Sequence, residues 1–373
     1  MRSDSFLYKF YYQWWKNIDK SIFFIISLLF IIGLFFSLVS TSLIASDKLD
    51  TNSYFFFFKH LVYVVLGVFI VFVFSSFNKE QLIKYSIVLF FVSLISLVLV
   101  PILGVEVKGS KRWIDLFFLP RFQPIEVLKP FLIVFLASTL CTEKTNLMIK
   151  YILTTLTISI VSLLLIIQPD IGQTILVVFS WSVLIFTSGI NIFILLAFFC
   201  VAIILLTYLI IYVPKFDYIQ GRILSFFDRE TGTHNFQSDK AIDSITSGGF
   251  FGKGIGEGIL KNRVPEAHTD YIISVISEEF GVVAIMLILL LFLIFIYMVF
   301  KKISFETDDK TKLILIGSIS LILMQATIHI GVNIRLLPTT GMTLPFLSYG
   351  GSSIISTSIL VGIILNLTKR KIN

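Results

Sequence analysis

Charge is scarce in this chain, and the scarcity excludes most of what 373 residues could be. Asp, Glu, Lys and Arg make up only 14% of it, while 56% is hydrophobic and the mean hydropathy is +0.94. A water-soluble domain of this length would not carry so much apolar surface. Cysteine is nearly absent as well. Cys141 and Cys200 both lie within apolar runs, without metal-ligand spacing or a reason to pair, and read as small core residues. Four histidines with no HxxxH pattern argue against a His-rich metal site. There is no P-loop, no GxGxxG in a βαβ setting and no GxSxG, so the common nucleotide-binding and hydrolase signatures are missing. GKGIGEG at 252–258 resembles a phosphate loop but lacks the GK[ST] ending and a preceding strand. It reads as a flexible hinge in a large loop.

What is present is a series of apolar runs, repeatedly 17–25 residues long. That length spans a hydrocarbon core as a helix. The runs are continuous rather than alternating, which excludes a β-barrel. The expected fold is an all-α polytopic membrane protein with about ten transmembrane helices, forming one integral membrane domain over 1–373. The spans fall at about 21–45, 54–77, 82–103, 126–142, 151–167, 171–188, 191–213, 270–300, 313–336 and 345–367. The first run has no small-residue cleavage pattern and reads as a retained span rather than a signal peptide.

An even number of spans puts both termini on one side, and the positive-inside rule makes that side cytoplasmic. Arg2, Lys9, Lys16 and Lys20 precede the first span; Lys369, Arg370 and Lys371 follow the last. Lys301, Lys302, Lys310 and Lys312 fill the loop after the eighth, and Lys79, Lys84, Lys144 and Lys150 border shorter loops on the same face. Residues 8–15, with three Tyr and two Trp, read as an interfacial aromatic segment. Two outer loops break the charge rule. Loop 104–125 holds Lys108, Lys111, Arg112 and Arg121 against Glu106 and Asp115, which points to an anionic partner. The large outer loop 214–269 has seven basic and seven acidic residues. That balance leaves an anionic partner and local pairing both open.

Polar residues recur at helical spacing inside the later spans. Glu126 and Lys129 are three apart and read as an internal salt bridge, though Lys129 could also add positive potential to a cavity. Asp170, after Gln168 and Pro169, reads first as the cap of the sixth span. In the eighth span Asp270, Ser274, Ser277, Glu278 and Gly281 share a stripe, with Glu279 beside it. In the ninth, Gln325, His329 and Asn333 recur every four residues, with Arg335 beyond; in the tenth, Ser348, Ser352 and Ser356 do the same. Such stripes either line a cavity or bond between helices, and the acids with Arg335 favour a cavity. His329 reads as a satisfied core histidine. Asp270 opens its span at the outer interface. A helix N-terminus there favours the ionised carboxylate and burial opposes it, a balance that suits a general base.

Six stretches carry a family resemblance. They are GSKRWID at 109–115, FQPIEVLK at 122–129, QPDIG at 168–172, FQSDKAIDSITSGGFFGKGIGEG at 236–258, VPEAHTDYIISVISEEFG at 264–281 and LPTTGMTLPFLSYGGSS at 337–353. Together they resemble the SEDS family (shape, elongation, division and sporulation), the FtsW/RodA/SpoVE group, over about residues 20–370. Ile125 stands where the family pattern has Ser, and Tyr271 where it usually has Phe. The wording of PEAHTD and TTGMTLPFLSYGGSS is nearer the division members than the elongation members. The resemblance implies a ten-span fold and a glycosyltransferase that polymerises lipid II outside the cytoplasmic membrane, in septal wall synthesis. It implies work beside a class B penicillin-binding protein and other division membrane proteins. It also makes Asp270 the catalytic residue. Lys111, Arg112, Lys129 and Arg335 are then candidates to stabilise the departing diphosphate. Glu278 and Glu279 become buried partners that hold the eighth span, through His329 or Arg335. No cofactor is identified; a divalent cation, magnesium or manganese, could share the diphosphate role, but spacing shows no ligand set. The rival activities are an elongation polymerase, a lipid II flippase, and a scaffold that only recruits the penicillin-binding protein.

Overall fold

The computed structural model describes residues 6–41, 54–107, 110–116, 119–143, 145–227 and 236–369. Arg2, Lys108, Lys144, Arg370 and Lys371 lie outside them, as does the segment 228–235 of the large loop.

The elements run α1 (Phe6–Asn17), α2 (Lys20–Thr41), α3 (Phe55–Ser76), α4 (Lys79–Leu103), β1 (Val105–Val107), β2 (Ser110–Leu116), β3 (Leu119–Phe122), α5 (Pro124–Leu140), α6 (Leu147–Ile167), α7 (Ile171–Thr187), α8 (Ile192–Tyr212), α9 (Asp217–Phe227), α10 (Phe236–Gly248), α11 (Ile272–Phe305), α12 (Asp309–Asn333) and α13 (Gly351–Leu367). Among the described residues, seven helices are long and apolar enough to cross a membrane: α2, α3, α4, α6, α8, α11 and α12. The other three expected spans, α5, α7 and α13, are helices of 17 residues. In lipid a helix satisfies its own backbone groups, which is why continuous apolar runs fold this way.

Short polar caps cut the apolar chain into separate helices. Asn146, Asp170, Asn191 and Asp308 each accept a backbone N–H from the first turn that follows. Helix α13 is buried along nearly its whole length and packs against α3 and α5, forming the centre of the molecule. Helix α8, in contrast, buries Leu195 and leaves most of its length to lipid. The aromatic segment 8–15 is part of α1. Its Trp14 is buried, and the indole N–H donates to Ser75 Oγ at 2.8 Å, so the segment docks on the end of α3 as well as facing outward.

Three features differ from the sequence reading. Loop 104–125 carries a three-stranded antiparallel sheet, β1-β2-β3, which no periodicity announced. The eighth span is not one helix. At Gly281 the backbone turns to φ +75° and splits α11 into 272–280 and 282–305. The third difference is the glycine-rich stretch, which is no hinge. Its chain packs into that break: the Lys253 and Gly254 amides donate to the Glu278 and Glu279 carbonyls at 2.8 and 3.0 Å, and the Val282 and Val283 amides donate to Gly249 and Phe250 at 3.0 and 3.2 Å. A Cβ at Gly252 or Gly281 would overlap the opposing backbone, so glycine serves close approach here rather than flexibility.

Candidate active site

Four helices begin at one polar cavity of about 570 Å³. Gln123, Asp170, Tyr271 and Gly350, the residues before α5, α7, α11 and α13, all line it. The hairpin contributes Ser110, Arg112 and Trp113, and the loop 339–343 forms another wall with Thr339, Thr340 and Gly341. Asp270 lies in the wall just before α11. Its N–H donates to the Glu266 carbonyl at 3.1 Å, and its own carbonyl accepts from Asn333 Nδ2 at 3.0 Å. The carboxylate reaches toward Gly341, where an added Cβ would stand 3.5 Å from Oδ2. Gly341 has φ +70°.

Arg112 comes from β2. Its guanidinium donates to the Gln168 carbonyl at 3.2 Å and to the Pro169 carbonyl, and sits 3.7 Å from Asp170 Oδ1. It thus binds the open carbonyl end of α6 while facing the cavity. Burial raises the Asp170 carboxyl above its ordinary value, and the Arg112 guanidinium pulls against that. Asp170 also accepts from Gln123 Nε2 at 3.0 Å and from the Gln173 amide at 3.4 Å, which caps α7.

Beneath this wall runs a buried polar chain. Gln173 Nε2 donates to Glu126 Oε1 at 2.6 Å, Glu126 pairs with Lys129 at 2.9 Å, and Lys129 donates to Gln325 Oε1 at 3.2 Å. Gln325 Nε2 donates to the Thr343 carbonyl at 3.1 Å, and Thr343 donates to Ser353 Oγ at 2.7 Å. The stripe of α12 holds the 339–343 wall: His329 Nδ1 donates to the Met342 carbonyl at 2.7 Å. Ser348 accepts from the Leu344 amide at 2.9 Å, and Ser352 from the Gln123 amide at 3.1 Å.

The structure therefore brings Asp270, Arg112, Glu126, Asp170 and Ser352 to one cavity and leaves other candidates out. Lys111 neighbours Arg112 on β2 but is exposed and outside the lining. The β1–β2 register shifts here, with Val105 opposite Trp113 and Glu106 opposite Lys111, so Arg112 is the extra residue of a bulge that breaks the alternation of side chains. Lys129 is fully buried below the wall. Arg335 pairs with Asp239 of α10 and does not line the cavity. The stripe of α11 faces α10: Ser244 Oγ donates to the Ser274 carbonyl at 3.2 Å, and Ser277 Oγ to the Ile245 carbonyl at 3.2 Å. Glu278 and Glu279 do not reach His329 or Arg335. Glu278 accepts from Ser244 Oγ and the Leu260 amide, both at 2.8 Å, and from the Lys261 amide. Glu279 pairs with the buried Lys261 ammonium and accepts from the Gly256 amide. Both acids clamp the outer loop onto α11.

The sequence reading missed Gln123, Gln173, Trp113 and Thr339–Gly341. Most of these lie inside the stretches that carry the family resemblance, but they bear no charge. Neither Lys111 nor Lys129 supplies the cationic lining that the sequence reading expected. Among the described residues Arg112 is the one basic residue in the lining, against Glu126, Asp170, Glu266 and Asp270. The four N-terminal ends add partial positive charge, while the Gln123 amide there donates to Ser352 Oγ and the Gln173 amide to Asp170 Oδ1. Among the described residues no group of three or more His, Cys, Asp or Glu is placed to hold a metal.

A multi-pass helical membrane protein with a polar cavity where several helices begin is the class these features define. Within it, the chain belongs to the FtsW/RodA/SpoVE family, whose model, described as "Cell cycle protein", matches residues 19–373. It is 30% identical over 369 residues to the probable peptidoglycan glycosyltransferase FtsW of Caulobacter vibrioides, covering 96% of this chain and 91% of that one. The corresponding protein of Francisella salina is 33% identical over 364 residues, with 94% and 89% covered. A solved structure described as "Structural coordination of polymerization and crosslinking by a peptidoglycan synthase complex" superposes with a TM-score of 0.77 at 26% identity, covering 94% of this chain and 97% of the other. The rod shape determining protein RodA of Thermus thermophilus superposes at 0.69 with 25% identity, covering 95% and 97%.

Proposed function

We propose that this protein is a peptidoglycan glycosyltransferase that polymerises lipid II at the outer face of the cytoplasmic membrane, in septal wall synthesis during division. The observation that carries the reading is the joint placement of Asp270, Arg112 and four helix starts around one cavity. The names of the relatives support the activity, and the crosslinking complex among the structural neighbours supports a transpeptidase partner of the class B penicillin-binding type. Other division membrane proteins would assemble with the pair at the septum. With ten spans both termini are cytoplasmic, and the cavity faces outward.

In the reaction Asp270 accepts the proton of the acceptor's GlcNAc 4-hydroxyl. That oxygen bonds to the anomeric carbon of the MurNAc at the end of the growing chain, with inversion, as the carbon–oxygen bond to the diphosphate breaks. Polyprenyl diphosphate departs with the bonding pair. Its developing charge meets Arg112 and the helix starts, which are already oriented and need no reorganisation at that moment. Lys129, paired with Glu126 below the wall, holds the arrangement rather than touching substrate.

The test is glycan polymerisation from lipid II by purified Asp270→Asn protein with its partner in detergent. The expected outcome is loss of polymer with unchanged thermal unfolding; wild-type polymer would remove Asp270 from its role. Protein that moves lipid II across liposomes without polymerising it would replace this reading with a flippase.

A further inference from the structure

Beside the break in α11, loop 249–259 displays apolar side chains that the protein does not cover. Phe250 and Phe251 are 76% and 83% exposed, and Ile255 and Ile259 are 65% and 67% exposed. The depth of the break indicates what covers them. From Val282 to Phe300 the chain has no charged residue; Lys301 and Lys302 end the run on one side, and Glu278 and Glu279 precede it on the other. The roughly 20 residues from 282 to 301 rise about 30 Å, the thickness of a hydrocarbon core at about 30 Å. With the lysines at one headgroup boundary, Gly281 lies at the opposite boundary.

Hydrogen bonds pass that depth to the loop. Val283 N–H donates to the Phe250 carbonyl at 3.2 Å and Val282 N–H to the Gly249 carbonyl at 3.0 Å, while the Lys253 and Gly254 amides bond the carbonyls on the near side of the break. Phe250 and Phe251 are therefore held where acyl chains meet headgroups, the depth to which the Phe- and Leu-bearing faces of interfacial segments bury. In the same loop Glu257 is exposed, and Gly258 packs on the two buried carboxylates.

We propose that Phe250 and Phe251 insert into the acyl-chain layer of the leaflet on the cavity side, with Ile255 and Ile259 seated beside them, as a lipid anchor for the outer loop. The anchor acts on the active site through a short path. The loop is clamped by Glu278 and Glu279 to the half-helix 272–280, which begins two residues after Asp270. Bilayer and Asp270 are thereby held in one frame, which suits a substrate whose tail stays in lipid. The inference rests on α11 spanning the membrane and not on the catalytic role of Asp270.

Full-length protein with Cys141→Ser, Cys200→Ser and Phe251→Cys, labelled with an environment-sensitive nitrobenzoxadiazole dye, reads this directly in phosphatidylglycerol–phosphatidylethanolamine liposomes. A second protein carries Glu257→Cys instead. Both sites are exposed, so the label displaces no packing. At 251 the emission should shift to the blue, lose intensity when the lipids are brominated high on the acyl chain, and resist aqueous iodide. At 257 iodide should quench and brominated lipid should not. Iodide quenching at 251 equal to that at 257, or no effect of brominated lipid at 251, overturns the proposal and assigns the face to water or to a protein partner.

Discussion

Arg112 and Lys111 are adjacent in sequence and opposite in consequence. Arg112 → Gln should lower polymerisation by about 10²–10³ if the guanidinium stabilises the departing diphosphate. Lys111→Ala, on the outer face of β2, should leave the rate near wild type and shift stability by no more than about 0.5 kcal/mol. Steady-state polymerisation and thermal unfolding of the two variants side by side check both statements. At the opposite end of the molecule, Asp308 shows how one residue can set a pH dependence. Burial raises its carboxyl, but the Lys79 ammonium at 2.7 Å and the Thr311 hydroxyl and amide outweigh this and hold it well below the usual carboxylate range. A depressed folded value means the stabilisation is present above the unfolded value of about 3.9 and is lost as pH falls toward the folded one. The melting gap between wild type and Asp308→Asn should therefore be full at pH 7 and narrow on acidification below about pH 4.

At the scale of elements, the break in α11 separates a spanning segment from a half-helix that positions Asp270. The break depends on Gly281, whose φ of +75° disfavours other residues and whose missing Cβ leaves room for the Phe250 carbonyl. Gly281→Ala should cost about 3 kcal/mol or more, combining backbone strain with overpacking. Thermal unfolding in detergent measures it, and polymerisation should fall as the loop loses its seat. The polar stripes also separate by element. In α12 the stripe binds the cavity wall through Gln325 and His329, whereas in α11 it binds α10 through Ser274 and Ser277. Helical spacing announced both stripes equally. Which neighbour each would meet was not a property of either helix alone.

For the whole molecule, the proposed sidedness is open to direct measurement. Glu106→Cys, exposed on the hairpin beside the cavity, should react with a membrane-impermeant maleimide in intact cells whose outer envelope has been opened. Ser304→Cys, at the lysine-bearing end of α11, should react only after the inner membrane is permeabilised. The reverse pattern would place the cavity in the cytoplasm and exclude extracellular polymerisation.

The amino-acid sequence by itself determined that this is a helical membrane protein in which Asp270, Glu278 and Glu279 are carried into the start of a late span. Length, apolarity and spacing are local quantities, and lipid leaves an apolar run little choice but a helix. It also marked Asp270, Glu278 and Glu279 together as candidates, because carboxylates carried into an apolar helix are costly without a task; the family resemblance then separated Asp270 from the other two. Tertiary structure decided what surrounds Asp270. A register shift between β1 and β2 left Arg112 without a strand partner at the cavity and Lys111 exposed outside it. Pairing sank Lys129 beneath the wall and drew Arg335 to Asp239. The four helix starts at the cavity lie far apart in the chain and meet only when the helices pack. Backbone dipoles carry no residue signature, so their convergence is decided by packing alone.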